Sequence, residues 1–98
     1  MDHRVRWSTS AWQELECAAA FIGRDSPRYA AALVDQARSA ARSLVRFPAK
    51  GRTVPELGEP TVRELIVKSY RLIYEVREEQ IVILAFLHGA RRLPWLFQ

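Results

Sequence analysis

Between Val62 and Arg92 the chain reads VRELIVKSYRLIYEVREEQIVILAFLHGARR, and apolar residues recur at every second position through most of it. Period-two alternation predicts β-strands with one buried face. Tight turns at Lys68-Ser69 and Glu78-Glu79 make three antiparallel strands. Counting back from those turns sets Val67 opposite Tyr70, Leu65 opposite Leu72, Val76 opposite Ile81 and Tyr74 opposite Ile83. One face then collects Leu65, Val67, Tyr70, Leu72, Tyr74, Val76, Ile81, Ile83, Ala85 and Leu87, and is expected to be core. The other carries Glu64, Ile66, Arg71, Ile73, Glu75, Val82, Leu84, Phe86 and His88. That second face is expected to be a half-apolar surface with a cation near its centre and an imidazole at its end. A slip of one residue would turn the polar set inward, which argues for this register.

Upstream, His3 to Ser8 alternates too, with Val5 and Trp7 on one side and Arg4 and Arg6 on the other, as in a half-exposed strand. Ser10 followed by Gln13 fits a capping box, so a helix is predicted to start there. Trp12, Leu15, Ala19 and Ile22 keep helical spacing, and Gly23 is placed to cap the C-terminus. Ser26-Pro27 opens a second helix, serine as N-cap and proline at the first helical position. Its buried stripe is Ala30, Leu33, Val34, Ala37, Ala41 and Leu44, and Phe47-Pro48 stops it. The alanines on both helices imply close packing as an antiparallel hairpin. Ala49 to Pro60, AKGRTVPELGEP, is expected to be a loop because of its glycines and prolines. After the strands, Leu93, Trp95, Leu96 and Phe97 form an apolar tail that either folds back on the sheet or meets a partner.

The order strand, helix, helix, three strands predicts an α+β fold, β-α-α-β-β-β, with a helical hairpin on one face of an antiparallel sheet. A chain of 98 residues that is 49% hydrophobic suffices for one domain, expected to span residues 1–98. A single cysteine, Cys17, excludes an internal disulfide and points to a reducing compartment. Within an alanine-rich helix it is expected to be a small buried hydrophobe. The start, MDHRVRWSTS, lacks the apolar centre of a signal peptide. The longest apolar run, Ile81 to Leu87, is far short of a membrane span. A cytoplasmic location, with no membrane partner, is the expectation.

Net charge is +4, and 13 of the 15 cations are arginine. Arginine's planar fork suits phosphate and carboxylate, so an anionic partner is favoured. No Gly-rich phosphate loop and no cluster with metal-ligand spacing is present, so neither cofactor nor metal is implied.

The run FPAKGRTVPEL…VRELIVKSYRLIYEV…VILAFLHGARR, preceded by the DSPRYA helix start, resembles the RelE/ParE superfamily of bacterial toxins from toxin–antitoxin pairs, over essentially the whole chain. The resemblance implies the β-α-α-β-β-β fold and a cognate antitoxin bound in a hetero-oligomer, with Leu93, Trp95, Leu96 and Phe97 as candidate antitoxin contacts. It leaves two mechanisms open. RelE-like members are ribosome-dependent endonucleases that drive the ribose 2′-hydroxyl of messenger RNA onto the next phosphate. On that reading Arg63, Arg71 and His88 are the catalytic candidates, the arginines for charge and the histidine for proton transfer. Lys50, Arg52, Arg91 and Arg92 would bind the target. ParE-like members instead inhibit DNA gyrase and do no chemistry. A tyrosine near the C-terminus, used by many of the nucleases, is absent here: Tyr29, Tyr70 and Tyr74 all lie earlier. The incomplete acid–base set favours gyrase inhibition over cleavage. A non-toxic basic interaction domain of the same fold is the third reading.

Overall fold

A computed structural model describes residues 4–89. Five strands and two helices follow in the order β1 (Arg4–Trp7), α1 (Thr9–Gly23), α2 (Pro27–Ser43), β2 (Arg52–Thr53), β3 (Val62–Val67), β4 (Tyr70–Val76) and β5 (Gln80–His88). The strands form one sheet in the order β1-β5-β4-β3-β2. The helical hairpin lies on one face, as expected. Two features depart from expectation. β1 runs parallel to β5, so the sheet is mixed rather than antiparallel. Arg52-Thr53, within the expected loop, pairs with Glu64-Arg63 as a short edge strand.

Local signals set the helix ends. Ser8, two residues before the expected capping box, is the N-cap of α1 and accepts from the Ala11 amide at 3.0 Å. Ser8 is already held by β5, because its amide donates to the Ile83 carbonyl at 2.9 Å. Tertiary pairing thus chose between two serines that are equal on local grounds. Ser26 caps α2 with Pro27 at the first position, as predicted. α2 ends at Ser43, ahead of Phe47-Pro48.

Between the hairpin and the sheet, Ala11, Leu15, Ala18, Leu33, Ala37, Ala41 and Leu44 meet Val67, Leu72, Tyr74, Ile81, Ile83 and Phe86. Each large side chain buried there contributes roughly 1.5–3 kcal/mol of hydrophobic stabilisation. Cys17 is exposed, not buried, since it lies on the face of α1 turned from this core.

The four strand pairings counted from the turns all occur. Beyond them the register of β5 shifts: Tyr74 faces Ile83, but Ile73 faces Ala85. Leu84 is the extra residue of a β-bulge, and it reverses the facing of everything after it. Phe86 therefore packs in the hairpin core, while Ala85 and Leu87 join Val54, Val62 and Ile73 on the opposite face. These assignments correct the expected ones. The backbone freed at the bulge is bonded from the hairpin side: Ser8 Oγ donates to the Leu84 carbonyl at 3.4 Å, and the Phe86 amide donates to Glu14 Oε1 at 2.9 Å.

Candidate functional site

The face away from the hairpin was expected to be an open surface, but it holds a closed ionic cluster. Arg71, the second residue of β4, is 6% exposed, and Glu64, diagonal to it on β3 and two residues from its partner Ile66, is 1% exposed. Charges this deep persist only when paired and bonded. Arg71 Nε donates to Glu64 Oε1 at 2.7 Å. Its two terminal nitrogens donate to the two oxygens of Glu56, each at 2.7 Å, a bidentate fork. Glu64 Oε2 accepts in turn from Arg52 Nε at 2.6 Å. Two arginines and two carboxylates cancel, so the cluster has no formal net charge. Glu75, the other carboxylate flanking Arg71 in sequence, pairs with Arg77 instead.

Glu56 reaches Arg71 because Val54 is fully buried and its carbonyl accepts from the Leu57 and Gly58 amides in a tight turn. Gly58 completes that turn at φ +64°, where a side chain would be strained. The Arg71 hydrogen bonds hold the Glu56 carboxyl below the usual range, outweighing burial. The same bond to Glu56 holds Arg71 above its ordinary value. Arg71 is therefore a permanently charged and fully engaged cation, and Glu56 is its counter-ion rather than a general base.

A second anchor lies at the start of the loop. The Tyr74 hydroxyl donates to the Pro48 carbonyl at 2.8 Å and accepts from the Gly51 amide at 2.9 Å. A Cβ added at Gly51 would sit 2.5 Å from the Glu64 carbonyl oxygen and 2.7 Å from the Tyr74 hydroxyl, so only glycine fits. Burial raises the Tyr74 pKa and keeps the phenol neutral. Arg63 Nη1 donates to the Gly51 carbonyl at 2.8 Å. Lys50 is exposed, with Nζ 3.3 Å from Ser43 Oγ, and the Arg52 side chain is 65% exposed. Lys50, Arg52 and Arg63 are thus gathered around Gly51 at one end of the sheet.

His88 stands elsewhere. It pairs with Tyr70 and meets that ring edge-on at a centroid distance of 5.6 Å, while Tyr70 stacks on Phe86. The groove beside it is lined by Gln13, Glu14 and Cys17 of α1. Because of the bulge, His88 is on the hairpin side and Arg71 on the opposite one. Arg63 and His88 share a side, but their partners Tyr74 and Tyr70 are four residues apart on β4, about 13 Å at strand rise. The three catalytic candidates are not brought together. Arg91, Arg92, Leu93, Trp95, Leu96 and Phe97 lie outside the described residues.

Sequence reasoning named Glu64 as a neighbour of Arg71 but missed its burial, and it missed the anchoring role of Tyr74. A carboxylate flanked by Leu65, Ile66 and Val67 on one strand was the available signal. Among the described residues no group of three or more His, Cys, Asp or Glu could hold a metal ion. Nor is any helix there long and apolar enough to cross a membrane.

With this geometry in view, known proteins supply the family. A profile described as ParE toxin of type II toxin–antitoxin system, parDE, matches residues 5–93. This chain belongs to that family. The toxin RelE2 of Caulobacter vibrioides is 33% identical over 89 residues, covering 90% of this chain and 97% of its own length. Among solved structures, the chromosomal ParDE system of P. aeruginosa superposes with a TM-score of 0.71 at 19% identity, over 88% of this chain and 95% of that one. The RelBE2 toxin–antitoxin complex of Mycobacterium tuberculosis gives 0.59 at 26% identity, over 90% and 99%. Two helices against a five-stranded mixed sheet are the RelE/ParE fold. The protein is a type II toxin by family, and its relatives carry both ParE and RelE names.

Proposed function

We propose that this toxin is held silent by a cognate antitoxin in a cytoplasmic hetero-oligomer, and that it acts by binding and inhibiting DNA gyrase rather than by cutting messenger RNA. The carrying observation is the state of Arg71. Cleavage through the 2′-hydroxyl needs a proton acceptor, a cation facing the developing charge and a proton donor, all at one phosphate. Arg71 is buried and balanced by Glu56 and Glu64, and His88 points to the other side of the sheet. The cations near Gly51 that no carboxylate neutralises among the described ion pairs, Lys50 and Arg63, lack a neighbouring histidine among the described residues. They suit attraction of an anionic surface better than proton transfer.

The test pairs two assays on the purified protein. Gyrase supercoiling is expected to stop, with cleaved DNA trapped on the enzyme, while primer extension on a message translated in a cell-free system shows no new ends. His88→Ala is expected to keep its toxicity. Ribosome-dependent cuts with unaffected gyrase would overturn the proposal and return Arg63, Arg71 and His88 to the catalytic role. Silence in both assays would leave an interaction domain of the same fold.

A further inference from the structure

The positive charge of this protein is not spread evenly. From Gln36 to Pro55 the chain carries Arg38, Arg42, Arg46, Lys50 and Arg52 and no carboxylate. In residues 4–35 and 56–89, by contrast, carboxylates match or outnumber the cations. Arg52 is paired with Glu64, so the excess resides on the second half of α2 and the turn after it. Arg38, Arg42 and Arg46 are exposed, and none of the described carboxylates forms an ion pair with any of them.

These three arginines recur at every fourth residue. The Phe47 amide donates to the Ser43 carbonyl at 3.1 Å, so the helical path runs on through Arg46. At helical rise the arginines stand about 6 Å apart along the axis. Lys50 returns to the same end, where its Nζ donates to Ser43 Oγ at 3.3 Å. Like charges at this spacing destabilise a helix. The negative end of the α2 dipole favours Arg42 and Arg46, but Arg38 lies before the last turn, beyond that effect. Every exposed residue from Asp35 to Arg46 is polar. An acidic protein segment would find charge on this face but nothing apolar to bury against. Phosphates need no such patch, because arginine forks, lysine and serine hydroxyls hold them directly. The spacing along the row is also close to that of successive phosphates on one nucleic-acid strand. Single strands are held by stacking unpaired bases on aromatic rings, and this face has none. Trp12, beside Arg38 and Arg42, is already met edge-on by Trp7. A duplex, which presents its phosphates at fixed spacing, is the ligand that fits.

We infer that Arg38, Arg42, Arg46 and Lys50 form a phosphate-binding row that lays α2 along one backbone of double-stranded DNA without reading its bases. The choice of DNA rests on the gyrase reading, since gyrase is a target that holds a DNA duplex. The row gives the toxin its own grip on that duplex, and it uses neither the Arg71 cluster nor the groove at His88.

The test titrates the full-length protein against a short fluorescent DNA duplex by anisotropy, over a range of salt concentrations and with no gyrase present. Saturable binding is expected. Each phosphate neutralised adds about −0.9 to the slope of log affinity against log salt, so four cations give about −3.6. The Arg38→Gln/Arg42→Gln/Arg46→Gln variant, changed only at exposed positions, should lose about 2.7 of that slope and bind at least about tenfold more weakly. Arg4→Gln/Arg6→Gln/Arg24→Gln removes the same charge elsewhere on the surface and should change the slope by less than about 1. Circular dichroism of both variants checks that the helices are intact. Equal losses in the two variants would mean that net charge alone drives binding, and would overturn the assignment of the row. So would the absence of saturable binding, or tighter binding of an unpaired DNA strand or of RNA than of the DNA duplex. A toxin that stops supercoiling but does not bind DNA would sink this inference and leave the proposed function standing. DNA binding through the row by a toxin that leaves gyrase unaffected would do the reverse.

Discussion

The two faces of the sheet are buried by different physics. On the hairpin side, Leu15, Leu33 and Leu44 press on Leu72, Tyr74 and Phe86, and the interaction is apolar and non-directional. On the far side, Val54, Val62, Ile73, Ala85 and Leu87 form a smaller apolar patch, and beside it Arg71 is clamped between Glu64 and Glu56. An apolar contact tolerates small displacements. A buried ion pair does not, because a lone charge left inside is far costlier than the pair. The loop over the far face is thus held by directional bonds: Glu56 to Arg71, Arg52 to Glu64, and the Gly51 amide to Tyr74. The helices are held mainly by area. The far face is the more specified half of the molecule and the more sensitive to single changes.

The largest expected break in that contrast is Arg71→Ala. It leaves the buried Glu64 with Arg52 as its remaining partner and removes the bidentate partner of Glu56, which should cost about 3 kcal/mol in urea unfolding, with the midpoint falling in proportion. Replacing Arg71, Glu64 and Glu56 together by apolar residues of similar size should recover most of that loss, whereas no second change on the hairpin side would do so. Recovery failing would mean the cluster contributes more than its own neutralisation.

Tyr74→Phe comes next, since the ring stays in the hairpin core while both loop bonds disappear. The buried Gly51 amide and Pro48 carbonyl lose their partner, at a cost of roughly 1–3 kcal/mol. Hydrogen exchange should rise at residues 48–52 and not in α1 or α2; a uniform rise would argue against a local tether.

Acid is a gentler probe of the same face. The folded Glu56 pKa lies below its unfolded value of about 4.5. Its contribution is therefore present above that pH and is lost as pH falls through the lower, folded value. Glu56→Gln should flatten this part of the stability–pH curve. At the alkaline end, Tyr74 has a folded pKa above the unfolded value of about 10. Its contribution is intact below that pH and fades as pH climbs towards the folded value, and Tyr74→Phe should remove that decline.

The smallest effect is expected at Cys17→Ser. The thiol is exposed on α1, so thermal unfolding should move by less than about 0.5 kcal/mol. A loss near the 2–5 kcal/mol of a core deletion would place the side chain back in the hairpin core.

Much of the architecture was legible because it is written in local code. Ser26-Pro27 specifies a helix start by its own capping chemistry, and the turns at Lys68-Ser69 and Glu78-Glu79 set four strand pairings by arithmetic alone. The candidate site was legible only in part. Arg71 and Glu64 were visible as neighbours on one face, but the closing partner Glu56 is 15 residues from Arg71, on a turn whose position depends on burying Val54. His88 was put on the wrong face for a definite reason. From Ile81 to Leu87 every residue is apolar, so shifting the register there exposes nothing polar and the pattern carries no penalty for a bulge.

Sequence by itself determined the helical hairpin, the three-strand meander, the basic arginine-rich character and the family, because capping, periodicity and composition act over a few residues at a time. Tertiary structure alone decided the Leu84 bulge, the parallel addition of β1 and the neutralisation of Arg71. Each depends on groups distant in the chain satisfying one another: Ser8 and Glu14 at the bulge, the β5 edge for Arg4 to Trp7, and Glu56 and Glu64 for one buried guanidinium.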